Sequence, residues 1–307
     1  MKILAIIAAI MIVNKKNLFI SICRKNIPPL TEYWLKTIAI TSLAQMNQSP
    51  LRYPGGKTRA CKILDEIVAQ QFDISAFDRI ISPFFGGGSF EFHLQNKYKL
   101  RIIANDKFAP LANFWRTCKT NQGELVAELE KKIDRISKKE FLEYRAKIME
   151  ESRQLEQSIM YFIINRCSFS GATLSGGFSQ DASKNRFTRS SIEKIARLDL
   201  RDFEIANQDF TDFLAQLEPS PRDLVFLDPP YYLESGSNLY GKSGDMHEGF
   251  PHEVLFRVVE SKTNWIMTYN DCQYIRELYK DFQIIPAEWS YGMNKTKKSS
   301  EIVILGR

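Results

Sequence analysis

Six short apolar runs punctuate this chain, and each stops on polar or acidic residues. The run 78–81 leads into Ser82-Pro83-Phe84-Phe85-Gly86-Gly87-Gly88-Ser89, and the run 100–104 ends at Asn105-Asp106. The run 203–206 ends at Asn207-Gln208-Asp209-Phe210, and 224–227 ends at Asp228. The run 265–268 ends at Tyr269-Asn270-Asp271, and 301–305 closes the chain. Helix-like text separates most of them. Short strands alternating with helices predict an α/β fold with a doubly wound, mostly parallel sheet. The polar run-ends then gather on one edge of that sheet, where ligands bind in open α/β folds.

The most specific of these run-ends is Asp228-Pro229-Pro230-Tyr231. The two prolines carry no N–H and fix φ, so the strand cannot continue through them. They leave a carboxylate, a carbonyl and a flat ring at the strand's C-terminal edge. That set suits capture of an exocyclic amine on a planar base. Asp228 and the Pro229 carbonyl would accept its two N–H bonds, and Tyr231 would stack on the ring. A lone Asp-Pro-Pro would more simply be a capped proline turn, so the other motifs carry weight.

Phe84-Phe85-Gly86-Gly87-Gly88-Ser89 lies between a strand and a helix. Glycines there allow a tight turn and a close backbone approach to a ligand. Glu91 stands where the third glycine of G-x-G-x-x-G would be, which argues against NAD or FAD. The F-x-G-x-G turn suits S-adenosylmethionine better. Asp106 follows Gly86 by 20 residues, the place for an acid on a ribose diol. Asp209-Phe210 offers an acceptor for an amino group and a ring to cover a base, although Asp209 equally suits a helix N-cap. Leu51-Arg52-Tyr53-Pro54-Gly55-Gly56-Lys57 is an incomplete phosphate loop, since position 51 is Leu. It reads instead as a loop presenting Tyr53 and Lys57 to an anionic or carboxylate group.

Composition excludes several classes. The five cysteines are scattered and form no C-x-x-C pair, so neither a zinc site nor a disulfide framework is implied. Three histidines argue against a His-based metal site. The net charge of +6 is concentrated at the start: residues 1–45 hold six Lys/Arg and one acid, and the other 262 residues carry only +1. A nucleic-acid face must therefore come from local clustering. The apolar run 3–13 is shorter than the about 20 residues that span a bilayer, and no clear small-x-small cleavage site follows. The text changes abruptly after Met46, so residues 1–45 read as an extension translated from upstream, with Met46 as the expected start.

In order, P-L-R-Y-P-G-G-K, P-F-F-G-G-G, Asp106, N-R-x-x-F-x-G at 165–171 and D-P-P-Y resemble the DNA N6-adenine methyltransferases of the alpha group, the Dam-type methylases. The resemblance covers about residues 49–307. It implies a Rossmann-like, S-adenosylmethionine-dependent catalytic domain over 46–115 and 197–307. It also implies an inserted, mainly helical target-recognition domain over 116–196. Tyr53, Lys57, Phe84, Gly86, Gly88, Asp106, Asp209, Phe210 and Asp228 would hold the cofactor. Asp228, Pro229, Pro230 and Tyr231 would hold an adenine flipped from the duplex. Asn165, Arg166, Lys184, Arg186 and Arg189 would contact the DNA. The implied partners are double-stranded DNA and, for a modification enzyme, a cognate restriction endonuclease; an orphan or phage methylase would have none. A cytoplasmic location without stable membrane association is expected, and no metal. Many family members carry an acid just before Pro-Phe of the glycine turn, where this chain has Ser82. That leaves the contact to the cofactor's ammonium unassigned. Two other readings stay open: a methyltransferase for RNA adenine, cytosine N4 or a protein glutamine, and a binding module without catalysis.

Overall fold

The structure, a computed structural model, describes residues 46–53, 55–232, 249–290 and 298–307. The reading of residues 1–45 as an upstream extension lies outside the described residues. Seven strands form one sheet in the order β3-β2-β1-β4-β5-β7-β6. They are β1 (Arg79–Ser82), β2 (Arg101–Asn105), β3 (Phe203–Ala206), β4 (Asp223–Leu227), β5 (Trp265–Asn270), β6 (Gln283–Ser290) and β7 (Lys298–Gly306). The first five run parallel to their neighbours. β7 runs antiparallel to β5, and β6 antiparallel to β7. The expected doubly wound, mostly parallel sheet is present.

Eleven α-helices are described. They are α1 (Cys61–Gln71), α2 (Ser89–Tyr98), α3 (Ala109–Thr120), α4 (Gln122–Glu130), α5 (Lys138–Lys147) and α6 (Gln154–Cys167). After them come α7 (Gln180–Asn185), α8 (Arg189–Ala196), α9 (Phe210–Leu217), α10 (His252–Val259) and α11 (Gln273–Leu278). Strand residues alternate between two cores, as the period of two requires. Ile80, Ile102, Leu224, Phe226 and Ile266 face the core shared with α1 to α3 and α6. Ile81, Ile103, Val225, Leu227 and Met267 face the core shared with α9 to α11. A parallel sheet buried on both faces explains why its strands read as continuous apolar runs.

β6 was not legible in the sequence. Pro286 interrupts it, opposite Ile302 of β7. A proline is tolerated there because β6 is an edge strand with no ladder to maintain on its outer side. Residues 46–307 form one compact unit. Within it, Phe141, Ile159, Phe162, Ile163, Phe187 and Ile192 of the helical stretch join the same core as the first sheet face.

The strand order reverses between β1 and β4, since β2 and β3 continue on one side and β5 on the other. Ligands of such sheets sit outside the carboxyl ends of the strands at that reversal. At the opposite ends, Arg79 grips the buried Asp223 through two hydrogen bonds of 2.6 Å each, locking β1 to β4. Among the described residues no helix is long and apolar enough to cross a membrane.

Candidate active site

β4 delivers Asp228 to the reversal point, and the prolines end the ladder there. Two donors hold the carboxylate through three hydrogen bonds. Lys57 Nζ donates to Oδ1 at 2.6 Å and to Oδ2 at 2.7 Å, and also to the Gly55 carbonyl at 3.0 Å. Thr268 Oγ donates to Oδ1 at 2.6 Å. Thr268 reaches it because the β4–β5 register pairs Leu227 with Met267, one residue earlier on each strand. The loop expected to present Lys57 to an anion thus presents it to this carboxylate. Tyr231 is fixed in turn: its hydroxyl donates to Glu301 Oε2 on β7 at 2.5 Å. The Lys57 ammonium lies 5.1 Å from the Tyr231 ring centroid. Sequence reasoning missed Thr268 and Glu301, because both approach through strand neighbours that only the sheet order reveals.

Across the reversal, the glycine turn follows β1. Gly86 and Gly88 have φ of +50° and +64°, a region that side chains rarely adopt. A Cβ on Gly86 would meet Tyr53 Cε1 at 2.8 Å, so the Tyr53 ring lies against the turn. Asp106 accepts from the Gly86 N–H and the Phe108 N–H, both at 2.9 Å. Burial pushes its pKa up to about 6, against the pull of those two N–H groups. Asp106 therefore shapes the turn directly. Phe84, Phe210 and Phe250 form an aromatic cluster with centroids 5.4–5.7 Å apart. Phe250 was not anticipated. Asp209 caps α9 through Thr211 N at 3.0 Å and pairs with Lys107 at 2.9 Å. One of its carboxylate oxygens is thus given to the helix cap and the other to a lysine.

Below the Asp228 site lies a second carboxyl, Glu91, in the first turn of α2 and 2% exposed. Its Oε1 accepts from Ser82 Oγ at 2.6 Å. Burial pushes its pKa up to about 7; the Ser82 hydrogen bond and Lys57 pull it down, and Asp228 pushes it up. Position 82 lacks an acid, but an acid stands beside it.

Of the five polar residues expected to meet DNA, Asn165 is buried. It clamps residue 52 instead, accepting from the Arg52 N–H at 2.9 Å and donating to its carbonyl at 2.7 Å. Arg166 is half-buried and donates to the carbonyls of Arg186 at 2.7 Å and Pro50 at 3.2 Å. Desolvation first, then Arg52 and Arg186, lower its pKa to about 10. Arg52 is lowered too, by burial and then by Arg186. Arg52, Arg166 and Arg186 therefore form a crowded cationic group, with Asp181 close enough to offset part of the repulsion at Arg52. Arg52 was not singled out in the sequence. Lys184 is exposed on α7, and exposed Arg189 pairs with Glu130 at 3.1 Å. No group of three or more His, Cys, Asp or Glu is gathered to hold a metal among the described residues.

Residues 53–293 match the family described as D12 class N6 adenine-specific DNA methyltransferase. The chain is 23% identical over 242 residues to Type II methyltransferase M.CviBI of Paramecium bursaria Chlorella virus NC1A, covering 76% of this chain and 86% of that protein. It is 22% identical over 200 residues to Type II methyltransferase M.MjaIII of Methanocaldococcus jannaschii, covering 59% of this chain and 68% of that protein.

Proposed function

The chain belongs to the D12 class of N6 adenine-specific DNA methyltransferases, and we propose that Asp228 to Tyr231 hold the target adenine while the glycine turn holds S-adenosylmethionine. The reaction is methylation of adenine N6 in DNA. One observation carries the site assignment. The Asp228 carboxylate sits at the strand-order reversal, held by Lys57 and Thr268, with the glycine turn facing it from β1.

The target base must leave the duplex to reach such a recess. Its N6 lone pair is delocalised into the ring and is a poor nucleophile. Hydrogen bonds from the amine to Asp228 and the Pro229 carbonyl localise that pair. Thr268 keeps the carboxylate in one orientation. Tyr231, pinned by Glu301, stacks on the base, worth about 1–3 kcal/mol. Positioning of this kind can supply roughly 7–11 kcal/mol of a barrier. The proton released from N6 passes to solvent or to the Asp228 carboxylate.

The residues at the turn fit S-adenosylmethionine. The Gly86 to Gly88 backbone is free of Cβ atoms, Asp106 stands beside it, and Phe84, Phe210 and Phe250 offer a flat apolar wall for a base. When bound, the cofactor supplies an electrophilic methyl group on a sulfonium. For DNA, residues 116–196 serve as the target-recognition segment, and its Arg166, Lys184, Arg186 and Arg189, with neighbouring Arg52, form a phosphate-facing surface. The two Type II relatives favour a role as the modification partner of a restriction endonuclease, and the scattered cysteines suit a reducing cytoplasm. Nucleoside analysis of plasmid DNA from a host expressing the protein tests the reading. N6-methyldeoxyadenosine at one sequence context is expected; N4-methylcytosine in its place would overturn the base assignment.

A further inference from the structure

Asp228 cannot serve an adenine amine well while Lys57 stays where it is. Lys57 donates to both carboxylate oxygens, and Thr268 takes a further lone pair on Oδ1. A neutral amine N–H competes poorly with a charge-assisted bond of 2.6–2.7 Å. The amine also gains positive charge as the methyl arrives, so a fixed ammonium beside it raises the barrier. The ammonium therefore needs somewhere else to go. It is 4% exposed, so water is a poor destination.

Glu91 is a second carboxyl within electrostatic range of it. The turn carrying Lys57 is tied to the start of α2, since Thr58 Oγ and Ser89 Oγ lie 3.0 Å apart. Glu91 is two residues further along that helix. Ser82, which holds Glu91 Oε1, ends β1 beside β4, the strand that delivers Asp228. Glu91 thus stands on a helix tied to the lysine turn and is hydrogen-bonded to the end of β1, in electrostatic range of both Lys57 and Asp228. A further titratable neighbour among the described residues, the Cys61 thiol, is pushed up to about 12 by burial and so is neutral.

We propose that Glu91 is a positioning residue that receives the Lys57 ammonium when Asp228 takes the adenine amine. The proposal rests on the assignment of Asp228 to that amine. Lysine suits the task, being a compact charge on a flexible stem. The ammonium stays protonated throughout. If Glu91 begins as the neutral acid, its proton leaves to solvent as the ammonium arrives. No bond to carbon changes.

Glu91→Gln keeps the shape and an acceptor for Ser82 but offers the ammonium no charge. Two readouts test it. The first is the affinity, without cofactor, for a duplex with adenine at the target relative to the same duplex with purine, which lacks the 6-amino group. Wild type should gain from the amino group, and Glu91→Gln should lose that gain. The second is single-turnover methyl transfer. Glu91→Gln should fall about 10–100-fold, the loss of one charge-assisted contact. Cofactor affinity should stay within about threefold. The wild-type rate should rise through a midpoint near 7, and that rise should vanish in the variant. Lys57→Met should abolish most of the Glu91→Gln effect, because the two act through one contact. Equal amino-group gain with transfer within twofold, or losses that multiply in the double variant, would overturn the proposal. If Glu91→Gln fails to fold, Glu91→Asp decides: a shifted pH midpoint with the rate retained at high pH is expected, and an unmoved midpoint overturns it. Asp228→Ala is measured alongside. If that variant stays active, the Asp228 assignment fails; if it is dead while Glu91→Gln is normal, only the Glu91 role fails.

Discussion

Thr268→Val removes one hydroxyl from the site and little else. Thr268 is fully buried on β5, and valine matches its shape and strand preference. The lost contact is a 2.6 Å hydrogen bond to the Asp228 carboxylate. Hydrogen bonds to charged groups contribute about 1.5–3 kcal/mol, which corresponds to roughly 10–150-fold in rate. Asp228 keeps Lys57, so it stays in the recess but gains freedom to rotate. The variant should therefore fold normally, bind cofactor within about twofold of wild type, and transfer methyl groups roughly 10–150-fold more slowly. Folding should survive, because the Asp228 carboxylate keeps the Lys57 ammonium and the added methyl is buried where the hydroxyl was. The assay is single-turnover transfer of labelled methyl to duplex DNA at saturating cofactor, with thermal melting as the control for folding. A rate within twofold of wild type in a well-folded variant would show that Thr268 does not orient the acid.

Three further outcomes follow from the geometry. Gly86→Ala should weaken cofactor binding at least about tenfold in calorimetry, since φ is +50° and the new Cβ would press on Tyr53, whereas Gly123→Ala, with nothing within 4 Å, should leave it unchanged. Glu91 has a folded pKa raised from 4.5 to about 7, so the stability linked to its neutral form is complete below about 4.5 and lost as pH rises through about 7; relative to Glu91→Gln, denaturant melts of wild type should lose about 3 kcal/mol across that window, and parallel curves would refute the burial of this acid. Arg52→Ala and Arg186→Ala should each lower the slope of log affinity for DNA against log salt by about one unit, with equal loss on all sequences if they meet phosphate, and an unchanged slope would remove the arginine group from the interface.

The parts of the proposed site that are contiguous in the chain were legible as motifs. Asp228 to Tyr231, Gly86 to Gly88 and Lys57 were readable because each motif carries its own local reason: a proline stop, a turn needing positive φ, a basic loop. The strand and helix alternation was readable because burial on both sheet faces forces apolar runs. The partners of these motifs were not. Thr268, Glu301 and Arg52 have ordinary local sequence and gain meaning only from the order β4-β5-β7 or from the clamp by Asn165. Glu91 was noticed only as a residue that broke a glycine pattern, and Ser82 only as a missing acid. Their hydrogen bond joins two positions nine residues apart across a turn whose geometry the sequence does not state. Asn165, a polar residue in a promising motif, is buried and holds the backbone of residue 52, which the motif alone does not state.

On the proposed mechanism the Asp228 carboxylate presents adenine N6 for methylation. Asp228→Ala, purified in full length beside wild type, tests it most directly, with methyl transfer to duplex DNA, cofactor affinity and thermal melting measured on the same samples. Transfer should fall below about one-thousandth of wild type, with melting and cofactor affinity largely retained, because Asp228 follows a strand end at a recess rather than filling the core. Transfer within tenfold of wild type in the folded variant would contradict it.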